Sequence, residues 1–191
     1  ENWVRGLLGD FASIDIGHAF KSSEFSSIGV RLLRGQNIEP GALRWTETKF
    51  YPEEKLGGME GLFIAERDII LAMDRPIVSA GLKLARAKKE DLPCVLVQRV
   101  SRFKISNNLT TDYLMLVLSD LEFSKYLLPN QTGSDIPHMS GKQILSYPVT
   151  MPPLAEQTEI VRRVEQLFAF ADRLEARLAT ARRQVGQLTP A

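Results

Sequence analysis

Few residues in this chain could do covalent or metal chemistry. Its two histidines, His18 and His138, stand far apart, and its one cysteine, Cys94, neighbours neither. A zinc centre takes three or four N, S or O ligands, so no metal site is expected. No serine sits in the Gly-x-Ser-x-Gly elbow of a hydrolase. Glu53-Glu54-Lys55 has the acidic-x-Lys form of some nucleases but lacks a supporting aspartate. Gly57-Gly58-Met59-Glu60-Gly61 lacks the G-x-G-x-x-G order of a nucleotide loop. The nearest approach to a catalytic motif is Met151-Pro152-Pro153-Leu154. Adenine methyltransferases carry an Asn- or Asp-Pro-Pro-Tyr loop, whose polar side chain holds the target amino group while the aromatic stacks on the flipped base. Here Met and Leu replace both, which leaves only helix punctuation. By itself the chain is expected to catalyse nothing and to hold no cofactor.

The other class to weigh is binding; were the ligand DNA, residue type would narrow the readers. Arg, Lys, Gln and Asn can make paired hydrogen bonds to base edges in the major groove. By residue type and loop position the candidates are Lys21, Arg34, Gln36, Asn37, Arg75, Gln98, Arg99, Gln131, Ser134 and His138. Each has a plainer alternative: Arg34 and Arg99 flanking strands, Asn37 closing a turn, His138 sitting at the surface beside Pro137. Net charge is only +1, so no global argument for nucleic acid exists. The distribution is uneven, however. Arg75 to Lys104 holds eight basic residues against two acidic, whereas Phe50 to Asp74 holds two against six. A chain polarised in this way can present one basic face to a phosphate backbone; lysines and arginines that merely solubilise strand edges are the alternative.

These residues need a scaffold. At 191 residues, 44% hydrophobic and 25% charged, the chain can bury a core of roughly 150 residues with an appendage. A single cysteine excludes an internal disulfide, and no apolar run is long enough to span a bilayer. The expected location is the cytoplasm. Residues 1–150 alternate short apolar stretches with Gly, Ser and Pro breaks, which predicts a sheet-rich domain. Strands are expected at Trp3–Leu8, Val30–Leu33, Leu43–Phe50, Ile69–Met73, Ile77–Ala85, Val95–Ile105 and Tyr147–Thr150, with a loop over Ser13–Ser27. Thr110-Thr111-Asp112 signals a helix running to about Leu128, and Ser140–Ser146 a further turn or two. Pro129–Pro137 reads as a polar loop.

Residues 151–191 read differently. Pro152 and Pro153 suit a helix start, and Glu156 and Glu159 favour its dipole. Apolar residues then fall on Ile160, Val164, Leu167, Ala171, Leu174, Leu178, Ala181, Val185 and Leu188. Their spacing alternates four and three, the seam of a coiled coil. Val161, Phe168 and Phe170 lie off the seam and widen the apolar face, so the first half of the helix is expected to dock on a further surface, its own domain or a partner. At ~1.5 Å per residue the rod from Ala155 to Leu188 spans roughly 50 Å.

The run Pro152-Pro153-Leu154-Ala155-Glu156-Gln157, followed by IVRRVEQLF and DRLEARL, resembles the specificity subunits of type I restriction–modification systems. In that family a Pro-Pro-Leu-x-Glu-Gln signature opens the helix after each target-recognition domain. Trp3–Ile16, Leu32–Ile38, Gln98-Arg99-Val100 and Gln131–Ser134 are similar to further family segments. Glu66–Leu71 is too, with Arg67 where the family usually has Gly. The resemblance implies an α+β fold: a mixed, curved β-sheet target-recognition domain over 1–150, then a long coiled-coil-forming spacer helix over 151–191. It implies double-stranded DNA as ligand, with one half of a bipartite target read by this chain. Partners would be methyltransferase subunits, which hold S-adenosylmethionine and modify an adenine, and a restriction subunit. The helix would pair with a second recognition domain in cis or in a homodimer. The alternative from another class is a helix-mediated protein assembly module that binds no DNA.

Overall fold

The computed structural model describes residues 2–128 and 138–188, with side chains to residue 185. Among the described residues thirteen strands and four α-helices follow in chain order. The first six strands are β1 (Val4–Leu7), β2 (Ala12–Ile16), β3 (Val30–Leu33), β4 (Ile38–Glu39), β5 (Ala42–Leu43) and β6 (Phe50–Tyr51). Next come β7 (Ile69–Ala72), β8 (Ile77–Val78), β9 (Gly81–Leu82), β10 (Leu84–Arg86), β11 (Cys94–Leu96) and β12 (Val100–Ile105). Helices α1 (Thr111–Ser119), α2 (Leu121–Leu127) and α3 (Gly141–Leu145) precede β13 (Pro148–Met151) and the long α4 (Leu154–Leu188).

An antiparallel sheet runs β10-β7-β12-β2, and a mixed sheet runs β11-β3-β6 with β3 and β11 parallel. The two are joined where β2 leaves the first and touches the second. Gly17 N–H donates to the Val100 carbonyl and His18 N–H to the Leu96 carbonyl. Only glycine fits at this crossing, because a Cβ on Gly17 would lie 2.3 Å from the Val97 carbonyl oxygen. The result is an α+β head built on open sheets, the fold class expected from the resemblance. Three apolar clusters fill it. The largest packs α1, α2, α3 and the first turns of α4 against the antiparallel sheet through Leu71, Phe103, Leu114, Leu118 and Phe123.

Several elements depart from the expected boundaries. Val95–Ile105 is two strands in different sheets, because the chain turns at 97–99 with Arg99 at φ +66°. Ile77–Ala85 folds into a small β8–β9 hairpin before β10 rejoins the sheet. Leu43–Phe50 is largely irregular: Trp45 turns inward, donating to Asp91 and stacking under Arg31. Residues 13–16 of the expected loop pair along β12. The helix after Thr110 breaks at Asp120, whose extended backbone and carboxylate cap α2. Pro129–Pro137 lies outside the described residues.

Arg67 sits at φ +73°, the left-handed region that glycine adopts at least cost. That is the position where the resembled family usually has Gly. The arginine's side chain is held by a two-pronged pair with Asp112, at 2.8 and 2.9 Å.

Helix α4 is continuous for 35 residues, about 50 Å. Met151 and Gln157 are buried in the head, so the structural root of the rod lies inside the domain rather than at residue 151. Ile160 and Val161 pack on the head's main core, and Val164 lines the adjoining groove with Tyr113 and Val117 of α1. Ile160, Val161 and Val164 are therefore spent on their own domain, so the free seam begins at Leu167 rather than at Ile160. Burying each half-way contributes about 1 kcal/mol. Beyond them Phe168 edges the same groove and the rod then stands clear: Leu167, Phe168, Phe170, Leu174 and Leu178 are all exposed, Leu167 by 67%. Ala171, Ala181 and Val185 share that exposure, and the side chain of Leu188 lies outside the described residues.

Candidate nucleic-acid interface

Strand direction decides which loops meet. Strand β12 is antiparallel to both β2 and β7, so those two strands end beside its beginning. Strand β11 ends there too, because residues 97–99 carry it directly into β12, and β3 runs parallel to β11. Strand β10 starts at that end, opposite Leu71 of β7. One end of the head therefore collects the loops at 17–21, 34–37, 73–83 and 97–99. His138 joins them through its bridge to Asp74.

The candidates from four stretches of sequence come together here. Lys21, Gln36, Arg75, Gln98 and Arg99 are exposed on these loops. Arg75 and Arg99 both hold left-handed backbones, at φ +43° and +66°. Such conformations persist only where the surroundings impose them, and they cluster at functional sites. Arg99 reaches Asp74 at 3.3 Å, and the Met73 N–H donates to the Arg99 carbonyl, which ties the two loops. Gln36 donates to Glu47 at 3.0 Å, and Arg34 to the Glu47 carbonyl at 2.6 Å. Burial pulls the Arg34 guanidinium below its ordinary value, and Glu47 works against that pull. His138 is half-buried. Gln131 and Ser134 lie outside the described residues.

Asn37 is a correction. It is 1% exposed, accepts from the Arg34 N–H at 3.2 Å and donates to the Arg44 carbonyl at 2.9 Å. Its amide closes a turn and is not available to a base edge. Lys83 is the addition. The charge count of the sequence included it but gave no reason to choose it. It precedes β10 at the same end, with its Nζ 3.9 Å from where a Cβ on Gly35 would stand. Burial pushes the Lys83 ammonium down, Asp74 raises it, and Arg75 lowers it further. Among the described residues Lys21, Arg75, Lys83 and Gln98 take no side-chain hydrogen bond or ion pair. This end thus carries positive charge and donors that an anionic, hydrogen-bond-accepting surface could engage.

The rest of the basic run from Arg75 to Lys104 goes elsewhere. Arg102 is buried and donates to the Phe63 carbonyl at 2.7 Å and the Gly61 carbonyl at 2.8 Å, beside Asp15 and Asp68. Lys104 pairs with Asp15, Arg86 with Asp112, and Lys88 with Glu90. A dense basic run along the sequence is thus part rivet, part surface pair and part loop end. Among the described residues no group of three or more His, Cys, Asp or Glu could hold a metal ion, and no helix is long and apolar enough to cross a membrane.

The family model described as "Type I restriction modification DNA specificity domain" matches residues 1–181. The chain belongs to that family. It is 34% identical to the type I restriction enzyme EcoAI specificity subunit of Escherichia coli over 183 residues, covering 95% of this chain and 31% of that protein. It is 32% identical to the MjaVIII specificity subunit of Methanocaldococcus jannaschii, over 87% of this chain and 40% of the relative. The chain thus spans less than half the length of these family members. Two solved structures share the fold. One comes from a study of assembly and conformational transition of a type I R-M system, with a TM-score of 0.69 at 17% identity, covering 97% of this chain and 43% of that one. The other is the HsdS subunit of Thermoanaerobacter tengcongensis, with a TM-score of 0.63 at 18% identity, covering 91% and 39%.

Proposed function

We propose that this family member reads one half of a bipartite double-stranded DNA target through the loop end that carries Lys21, Arg34, Gln36, Arg75, Lys83, Gln98, Arg99 and His138. The observation that carries the reading is the convergence of these donors, from separate stretches of sequence, on one end of the sheet. Arg75, Lys83 and Lys21 supply phosphate contacts; Gln36, Gln98 and Arg99 have the donor geometry for base edges. Catalysis belongs to a methyltransferase subunit that holds S-adenosylmethionine, and cleavage to a restriction subunit. Helix α4 is a ruler. Its seam from Leu167 onward, clear of the head, pairs with a second such helix, in cis or in a homodimer, and Phe168 and Phe170 offer further apolar surface to a partner. A rod of about 50 Å separates two heads by roughly one and a half turns of DNA at ~3.4 Å per base pair.

A mobility-shift assay on a random-sequence DNA pool, with the partner methyltransferase present, tests this. Enrichment of a split motif supports the reading. Binding to the methyltransferase with no DNA retained favours an assembly module, for which the bare apolar rod is the supporting observation.

A further inference from the structure

The root of α4 contains a polar side chain with no place in the reading surface. Gln157 is fully buried at 0% exposure, one turn into a helix whose neighbouring positions are mostly open to solvent. Its amide is used on three sides. The Oε1 accepts from the Thr110 N–H at 2.9 Å, and the Nε2 donates to the Asn108 carbonyl at 2.8 Å and to the Pro152 carbonyl at 2.9 Å. All three partners are backbone groups. Thr110 is the cap of α1, where its hydroxyl accepts from the Tyr113 N–H. Asn108 lies just beyond the end of β12, and Pro152 lies just beyond β13. One side chain thus ties the rod to a strand end of the central sheet, to the start of α1 and to the end of the ribbon that feeds the rod.

We propose that Gln157 is a positioning residue that fixes the angle at which the rod leaves the head. The surrounding contacts do not duplicate it. Trp3 donates to Glu156 at 2.9 Å, but that contact is exposed. Ile160 and Val161 pack on the core, and such packing of α4 on α1 holds a crossing angle only to within about 15–20°. The three hydrogen bonds define a direction, since an amide is planar and its acceptor and donor sides are not interchangeable. Glutamate keeps the acceptor but presents oxygens to two carbonyls; methionine matches the length and offers neither. The role rests on the proposal that the rod sets the separation of two reading heads, but its geometry is testable without DNA.

The test is a spin-label distance distribution between head and rod in the whole chain, with labels at Glu54→Cys and Ala176→Cys, both exposed, diluted into unlabelled chain. Native Cys94 is buried, and burial pushes its thiol up to about 12, so it stays unlabelled. The unaltered chain is expected to give one narrow distribution. Gln157→Met is expected to broaden it while far-ultraviolet circular dichroism shows a folded head; a narrow, unshifted distribution overturns the proposal. If Gln157→Met fails to fold, Gln157→Glu decides. Its introduced carboxyl regains a donor when protonated, so its distribution should narrow as pH falls while the unaltered chain's stays put. A width independent of pH in that variant overturns the proposal. DNA binding that fails with the distances intact counts against the reading role alone.

Discussion

The two ends of the head use polar side chains in opposite ways. At the root of the rod they are consumed internally: Gln157 makes three bonds to backbone, and Asp112 draws Arg67 and Arg86 together. At the loop end Arg34, Gln36 and Arg99 keep partners in Glu47 and Asp74, but Arg75, Lys83, Lys21 and Gln98 are spent on no partner among the described residues, and two arginines sit in strained backbone. The difference teaches that residue type alone does not distinguish a reader from a rivet. Arg99 and Arg102 are three positions apart, yet one is exposed at a turn and the other is 7% exposed among carbonyls and carboxylates.

The largest effect should come from breaking the interior side of that contrast. Arg102→Met removes the donor to the Phe63 and Gly61 carbonyls and one partner each from Asp15, which keeps Lys104, and Asp68, which keeps the Ala65 N–H. It is expected to cost about 3 kcal/mol in urea unfolding. That figure is already reduced because Asp15 is a third exposed. Its DNA affinity per folded molecule should be unchanged; a selective loss of binding would move Arg102 to the reading side.

The paired substitution Arg75→Ala with Arg99→Ala should act the other way. It is expected to weaken DNA binding at least roughly tenfold at low salt and, through the phosphate contact of Arg75, to lower the slope of log affinity against log salt by about 1. Melting should move little, as both side chains are exposed. An unchanged slope would place the phosphate contacts elsewhere.

Asn37→Ala and Gln36→Ala form the sharpest neighbouring pair. The first removes two hydrogen bonds from a buried turn and should cost about 1–3 kcal/mol. The second should leave unfolding alone and change base preference, read by selection from a DNA pool. If Asn37→Ala alters preference without loss of stability, the turn is not its role.

The smallest expected effect is at Lys83. Burial depresses its ammonium, so the folded chain holds this proton less tightly than the unfolded chain does. Between the folded and unfolded values, stability therefore rises with pH. Lys83→Met should raise the melting temperature slightly at neutral pH and flatten that alkaline rise while weakening DNA binding. A fall in melting temperature would mean that Lys83 is held by attraction that outweighs its burial.

For the rod, deleting one heptad beyond Val164 shortens it by about 10 Å, and the preferred gap between half-sites should shrink by roughly 3 base pairs. An unchanged gap would end the ruler idea.

The rod was legible in the sequence because a helix is local. The residues that set its period are neighbours along the chain, and neither Gly nor Pro interrupts the seam from Ile160 to Val185. The buried strand Ile69–Ala72 was legible for the same reason, with all four residues apolar and buried. Local pattern did not show where Val95–Ile105 turns, since both halves are apolar and the left-handed Arg99 between them has no glycine to announce it. Nor did it separate Asn37 from Gln36, or reveal Gln157 as a latch, because hydrogen-bond partners 47 and 49 positions away carry no sequence signal. Composition and periodicity thus determined a sheet-rich head on a stiff helix, while the recognition role followed from the resemblance carried by Pro152–Gln157 and its companion segments. Which loops share an end, which arginine is buried and where the rod is anchored were decided by strand direction and register, and those follow from long-range pairing that only the folded chain possesses.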